Sequence, residues 1–111
     1  MSEYKSIDKD RLKGWLDSGE DFVLLNVLSK ESFDAGHIRG SLNVDLRDED
    51  FLEKVEALAP DKDKFVVVYC FTGNTSLESA KILNEAGYSQ VYNYEGGTDD
   101  WEEADYPLET D

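Results

Sequence analysis

Two kinds of apolar pattern alternate along this chain. Phe22-Val-Leu-Leu-Asn-Val27 and Phe65-Val-Val-Val-Tyr-Cys70 are short, nearly continuous runs rich in β-branched residues, the signature of strands buried on both faces. Elsewhere apolar residues recur every three or four positions. Leu12, Trp15 and Leu16 share one face of a helix that Asp8 or Asp10 caps and that ends near Gly19. Phe51, Leu52, Val55 and Leu58 form the inward face of a helix over residues 48–58. Leu77, Ala80, Leu83 and Ala86 mark another, with Gly87 as its C-cap. Brief strands are expected at residues 4–7, 41–44 and 91–94. Ser29 opens a short helical turn through Phe33, closed by Gly36, and Thr98 caps a last short helix that holds Trp101 and stops at Tyr106-Pro107. Residues 36–40 read as a loop, and Pro60-Asp-Lys-Asp and Gly96-Gly97 as turns. Strands alternate with helices throughout, so the class is α/β with a mainly parallel sheet, in one domain over residues 1–111.

The pattern changes register at Cys70. A central strand stops there, six small or polar residues follow with Gly73 among them, and helical spacing begins. In open α/β sheets, ligands bind beyond the carboxyl ends of such strands. A loop entering a helix points backbone N–H groups at one spot, and the helix dipole adds positive potential. A thiolate there is stabilised and becomes a better nucleophile at neutral pH. Thr75-Ser-Leu-Glu78 fits a capping box, with Thr75 as N-cap and Glu78 at N3. The plainer reading of Cys70 is a small apolar residue that ends a buried strand. Position alone leaves both readings standing.

Composition narrows the classes. Twenty-six acidic against 11 basic residues give a net charge of −15, which argues against nucleic-acid or anionic-membrane binding. That charge suits solubility, in a salty cytoplasm for instance, or steering towards a basic protein partner. A single cysteine excludes an intramolecular disulfide and a C-x-x-C redox pair, and no His/Cys set has zinc spacing. No metal and no cofactor is expected. The charged start lacks an apolar core and no stretch approaches membrane-spanning length, so the reading is a cytoplasmic protein.

Four segments in order carry a family resemblance. Gly36-His-Ile-Arg-Gly-Ser-Leu-Asn43 is similar to the G-H-I-x-G-A-x-N segment of rhodanese-like domains. Val66-Val-Val-Tyr-Cys-Phe-Thr-Gly-Asn-Thr-Ser76 resembles that family's strand and C-x-x-G-x-[RT]-S loop. Gly96-Gly97 with Trp101, and then Tyr106-Pro107, resemble its G-G-x-x-x-W and G-Y-P tail. The resemblance implies a five-stranded parallel sheet with helices on both faces. It also implies a sulfurtransferase or sulfur carrier, in which Cys70 takes a sulfane sulfur as a persulfide and passes it to a thiol or other nucleophile. The backbone N–H groups of Phe71, Thr72, Gly73, Asn74, Thr75 and Ser76 would cradle the persulfide. Gly73 would let the chain curl round the sulfur, and the Ser76 and Thr75 hydroxyls would add hydrogen bonds. The partners implied are a small sulfur donor or a protein persulfide or thiol. A rhodanese-fold binding or regulatory module with little turnover is the alternative.

Three further readings complete this picture. His37 looks structural in this family, closing its loop rather than serving the thiol. Tyr69, Trp15 and Trp101 are expected in the core, and Phe71 in the pocket wall. The phosphatase pattern C-x5-R is absent, because Ser76 stands where the arginine would be.

Two departures bear on substrate. Many active members have Asp-Val-Arg where this chain has Asn26-Val27-Leu28, and many have arginine where Thr75 stands. Losing two charge-assisted hydrogen bonds would cost about 3–6 kcal/mol, or roughly two to four decades in donor binding or turnover. Thiosulfate is therefore expected to be a poor donor, unless Arg39 or Arg47 stands in. The sequence places neither beside Cys70.

Overall fold

The computed structural model describes residues 4–71 and 74–110. Along them run β1 (Lys5–Ser6), α1 (Lys9–Ser18), β2 (Phe22–Asn26), α2 (Lys30–Ala35), β3 (Leu42–Asn43), α3 (Phe51–Leu58), β4 (Phe65–Tyr69), α4 (Asn74–Glu85), β5 (Val91–Asn93) and α5 (Gly97–Glu103). Every strand pairing is parallel, and the order across the sheet is β1-β5-β4-β2-β3. The two continuous apolar runs take the middle, paired from Phe22 with Phe65 to Asn26 with Tyr69. From β2 the chain moves outward to β3, and from β4 it moves the other way to β5. The crevice between the carboxyl ends of β2 and β4 is thus the topological switch point.

Alternation along β4 divides the core. Val66, Val68 and Cys70 join Val55 of α3 and Ala80 and Leu83 of α4 in one apolar cluster. Val67 and Tyr69 join Leu12, Ile38, Tyr92, Tyr94 and Trp101 in the other. Helices therefore cover both faces, and the period of two delivers Cys70 to the α4 side. Trp15 lies at the rim of the second cluster, stacked on Phe65 at 5.3 Å. Each such buried apolar side chain contributes about 1.5–3 kcal/mol over leaving it exposed.

Local signals set several helix ends. Asp8 rather than Asp10 caps α1, accepting the Arg11 N–H at 2.8 Å. Ser29 caps α2 through the Ser32 N–H. α4 ends with Gly87 at φ 104°, where the Gly87 N–H reaches Asn84 O and the Tyr88 N–H reaches Leu83 O.

Other boundaries differ from expectation. Residues 48–50 are a turn and α3 starts at Phe51. Phe51 N–H reaches Asp48 O at 3.1 Å, a three-residue turn bond rather than the four-residue bond of an α-helix, and the turn before it is closed by Asp48 N–H on Asp45 O. Leu58 is exposed (44%) instead of inward, because Ala59 fills the core there and its carbonyl accepts the Tyr88 hydroxyl. Thr75 is not an N-cap. Asn74 and Thr75 are already helical, so α4 begins two residues earlier than the capping box implied. Thr98 likewise lies inside α5, which starts at Gly97 because that helix's first amides are spent on the neighbouring loop. The outer strands are shorter than expected, although Ile7, Val44 and Tyr94 each continue the ladder by one backbone bond, as Val27 does for β2.

Candidate active site

The strand run places Cys70 just beyond Tyr69, at the carboxyl end of the central strand. Its side chain is almost wholly buried (3% exposed), and the thiol reaches Ser76 Oγ at 3.5 Å. Ser76 is itself buried in the first turn of α4. The sulfur therefore sits against the start of a 12-residue helix, where backbone N–H groups point outward and carry partial positive charge. Phe71 is half exposed, Asn74 is exposed and Thr75 is half-buried, while Thr72 and Gly73 lie outside the described residues.

The loop is held from its other side by α5. Cys70 O accepts the Thr98 N–H at 3.0 Å, and Phe71 O accepts the Asp99 N–H at 3.2 Å. Gly97 makes this approach possible at φ +63°. A Cβ there would fall 2.3 Å from Phe71 O and 2.4 Å from Cys70 O. A trans peptide points its C=O and N–H in opposite directions, so fixing Cys70 O on α5 turns the Phe71 N–H away from α5. The Gly96-Gly97 pair, read from sequence as a turn, is thus part of the site. Its signal was two adjacent glycines directly after a strand, where a second backbone needs room.

Asn26 shapes the facing wall. Its side-chain oxygen accepts the Leu28 N–H at 3.0 Å, and Asn43 Nδ2 donates to Leu28 O at 2.8 Å. Leu28 then lines a pocket of about 160 Å³ together with Val27, Ser29, Ser32, Asp45, Arg47, Phe71 and Thr75. Across Phe71 a wider groove of about 340 Å³ presents three carboxylates, Glu31, Asp99 and Glu102, beside Leu108 and Thr98. Phe71 is a wall common to both hollows. A larger hollow of about 400 Å³ lies at the far end of β4, between Asp21, Leu58, Pro60 and Phe65, and carries no nucleophile.

The remaining candidates are engaged elsewhere. His37 is buried, with Nδ1 at 2.9 Å from Phe33 O, its ring stacked on Phe33 and its backbone paired with Glu109. Arg39 pairs with Asp17. The Tyr69 hydroxyl accepts the Ile38 N–H at 3.0 Å and lies 2.8 Å from Ser41 Oγ, which pins the loop over residues 36–40; burial pushes its pKa up. Among the described residues no group of His, Cys, Asp and Glu could hold a metal ion, and no helix is long and apolar enough to cross a membrane.

Known proteins share this fold. The model of the rhodanese-like domain matches residues 8–104. The thiosulfate sulfurtransferase GlpE of Pseudomonas savastanoi pv. phaseolicola is 35% identical over 99% of this chain and 97% of its own. Among solved structures, a rhodanese-related protein from Thermoplasma volcanium superposes with a TM-score of 0.79 at 28% identity, over 95% of this chain and 97% of that one. The human single-domain sulfurtransferase TSTD1 gives a TM-score of 0.75 at 26% identity, over 91% and 97%.

Proposed function

The chain belongs to the rhodanese-like domain family and is a sulfurtransferase of that kind, and from that premise we propose that Cys70 is its sulfur-carrying nucleophile. The observation that carries this is the seat of the thiol, at the end of the central strand against Ser76 in the first turn of α4. In the first half-reaction the Cys70 thiolate attacks the outer sulfur of a sulfane donor. The new S–S bond forms as the donor's own bond to that sulfur breaks, and the donor remainder leaves with the electron pair. With thiosulfate the leaving group is sulfite, and the total charge is unchanged. In the second half-reaction an acceptor thiolate or cyanide attacks the outer sulfur, and Cys70 leaves as the thiolate.

The cradle for the persulfide is the start of α4 with the loop before it, Phe71 to Ser76. Partial positive charge at that helix end favours the anion, and the Ser76 hydroxyl is within reach of the sulfur. A cytoplasmic setting and a small-molecule or protein-thiol partner belong to the same reading.

The test is direct. Intact-mass measurement after exposure to thiosulfate, polysulfide and glutathione persulfide is expected to show one added sulfur on Cys70. Cys70→Ser is expected to abolish loading and transfer while keeping the fold, because the two side chains are nearly equal in size. Half the wild-type transfer rate in Cys70→Ser would overturn the assignment. A protein that never gains a sulfur would fit a binding or regulatory module instead.

A further inference from the structure

The two positions where this chain lacks a family arginine, Leu28 and Thr75, line one pocket, and a third wall of that pocket is Arg47. The path by which Arg47 arrives is fixed by backbone bonds. Leu46 N–H reaches Val27 O at 3.2 Å, and Val27 N–H reaches Tyr69 O at 3.1 Å. Leu46 is thus two strand spacings from Tyr69, roughly 10 Å, and its neighbour's long side chain starts within reach of the loop that follows Cys70.

Charge at the other sites does not compete. The chain has three arginines. Arg11 lies over the Trp15 and Tyr92 rings and Arg39 pairs with Asp17, whereas the Arg47 guanidinium makes no salt bridge among the described residues. Asp45 shares the pocket, but one of its carboxylate oxygens is held by the Arg47 backbone N–H at 2.9 Å. On the far side of Phe71 the groove offers only carboxylates as charged groups. An anionic donor approaching Phe71 therefore meets a cation beside one carboxylate on one side and only carboxylates on the other.

Resting on the assignment of Cys70 as nucleophile, we propose that Arg47 binds the oxyanionic end of a small sulfur donor, taking the place of the arginines absent at Leu28 and Thr75. Ser29, Ser32 and Thr75 add hydroxyls to the same pocket, and Leu28 and Phe71 its apolar sides. A hollow of about 160 Å³ suits a donor of a few heavy atoms. The oxyanion is either the sulfonate of thiosulfate or the carboxylate of a small thiol persulfide.

The experiment compares Arg47→Gln and Arg47→Lys with wild type, using three donors. These are thiosulfate, 3-mercaptopropionate persulfide and 2-mercaptoethanol persulfide, of which the last lacks an oxyanionic end. For at least one oxyanionic donor, Arg47→Gln is expected to lower kcat/KM about five- to thirtyfold, mostly through KM, the range between an exposed ion pair and a charge-assisted hydrogen bond. Arg47→Lys should recover most of that loss, and the mercaptoethanol persulfide rate should hold in all three proteins. Whichever oxyanionic donor responds identifies the source. Equal losses with all donors, or no loss with either oxyanionic one, would overturn the role of Arg47 while leaving Cys70 as nucleophile. A wild type in which no donor loads Cys70 would instead overturn the assignment beneath it, and this proposal with it.

Discussion

Thr75 lies in the second position of α4 and in the wall of the pocket that Arg47 also lines. From sequence, replacing it promised a loss of about 1 kcal/mol as a missing N-cap. Inside the helix that loss does not arise, and a surface substitution of this kind should stay within about 0.5 kcal/mol. A charge can then be moved rather than added. In an Arg47→Gln background, Thr75→Arg is expected to return kcat/KM for thiosulfate to within a few-fold of wild type, with an unchanged urea midpoint. No recovery in a folded double variant would mean that the two positions do not serve the same anion. Cys70 was legible in the sequence because a β-branched run ended on it and a helical period began soon after. Arg47 was not, since its position depends on the register of β3 and its continuation against β2, a long-range pairing that no local pattern encodes.

At the level of elements, α5 acts on the site without contributing a side chain to the chemistry. Its first amides hold the carbonyls of Cys70 and Phe71, and Gly97 is the point of closest approach. Gly97→Ala adds a Cβ in a left-handed conformation and drives it into two carbonyl oxygens. We expect a loss of about 2–5 kcal/mol in urea unfolding, and a fall in sulfur transfer beyond what the lost stability explains, because the loop carbonyls must move. Full transfer in Gly97→Ala at a temperature where it is folded would show that the clamp is dispensable. Strand and helix order could be read from the sequence because each long element has a clean period. The ends were harder. Residues 48–50 carry acidic side chains that serve a helix start or a tight turn equally well, and only the backbone bond from Phe51 N–H to Asp48 O decides. Leu58 has helical spacing with Phe51 and Val55, yet the chain turns at Ala59 and gives that space to a smaller residue.

For the whole molecule the governing quantity is the net charge of −15. Most cations are already matched, as in Lys13–Asp17, Lys30–Asp34, Lys54–Asp48, Lys62–Glu56 and Lys64–Asp21, so the surplus carboxylates face one another across solvent. Exposed pairs of this kind contribute little, while repulsion among unpaired charges accumulates. Raising ionic strength from about 0.01 M to about 1 M shortens the screening length from about 30 Å to about 3 Å. The melting temperature should rise with it, by roughly 4–8 °C for each kcal/mol recovered. A melting temperature that fell on adding potassium chloride would mean that the surface pairs outweigh the repulsion. The topology has a consequence in time as well. In the sheet β1 hydrogen-bonds to β5 alone, and α5 fastens the loop at Cys70. Ribosomes make the chain from its amino end at about 5–20 residues per second, so Cys70 emerges on the order of a second or more before its clamp. A nascent chain thus holds its thiol in an unfinished setting, and if Cys70 carries sulfur as proposed, loading is expected only after translation has passed α5.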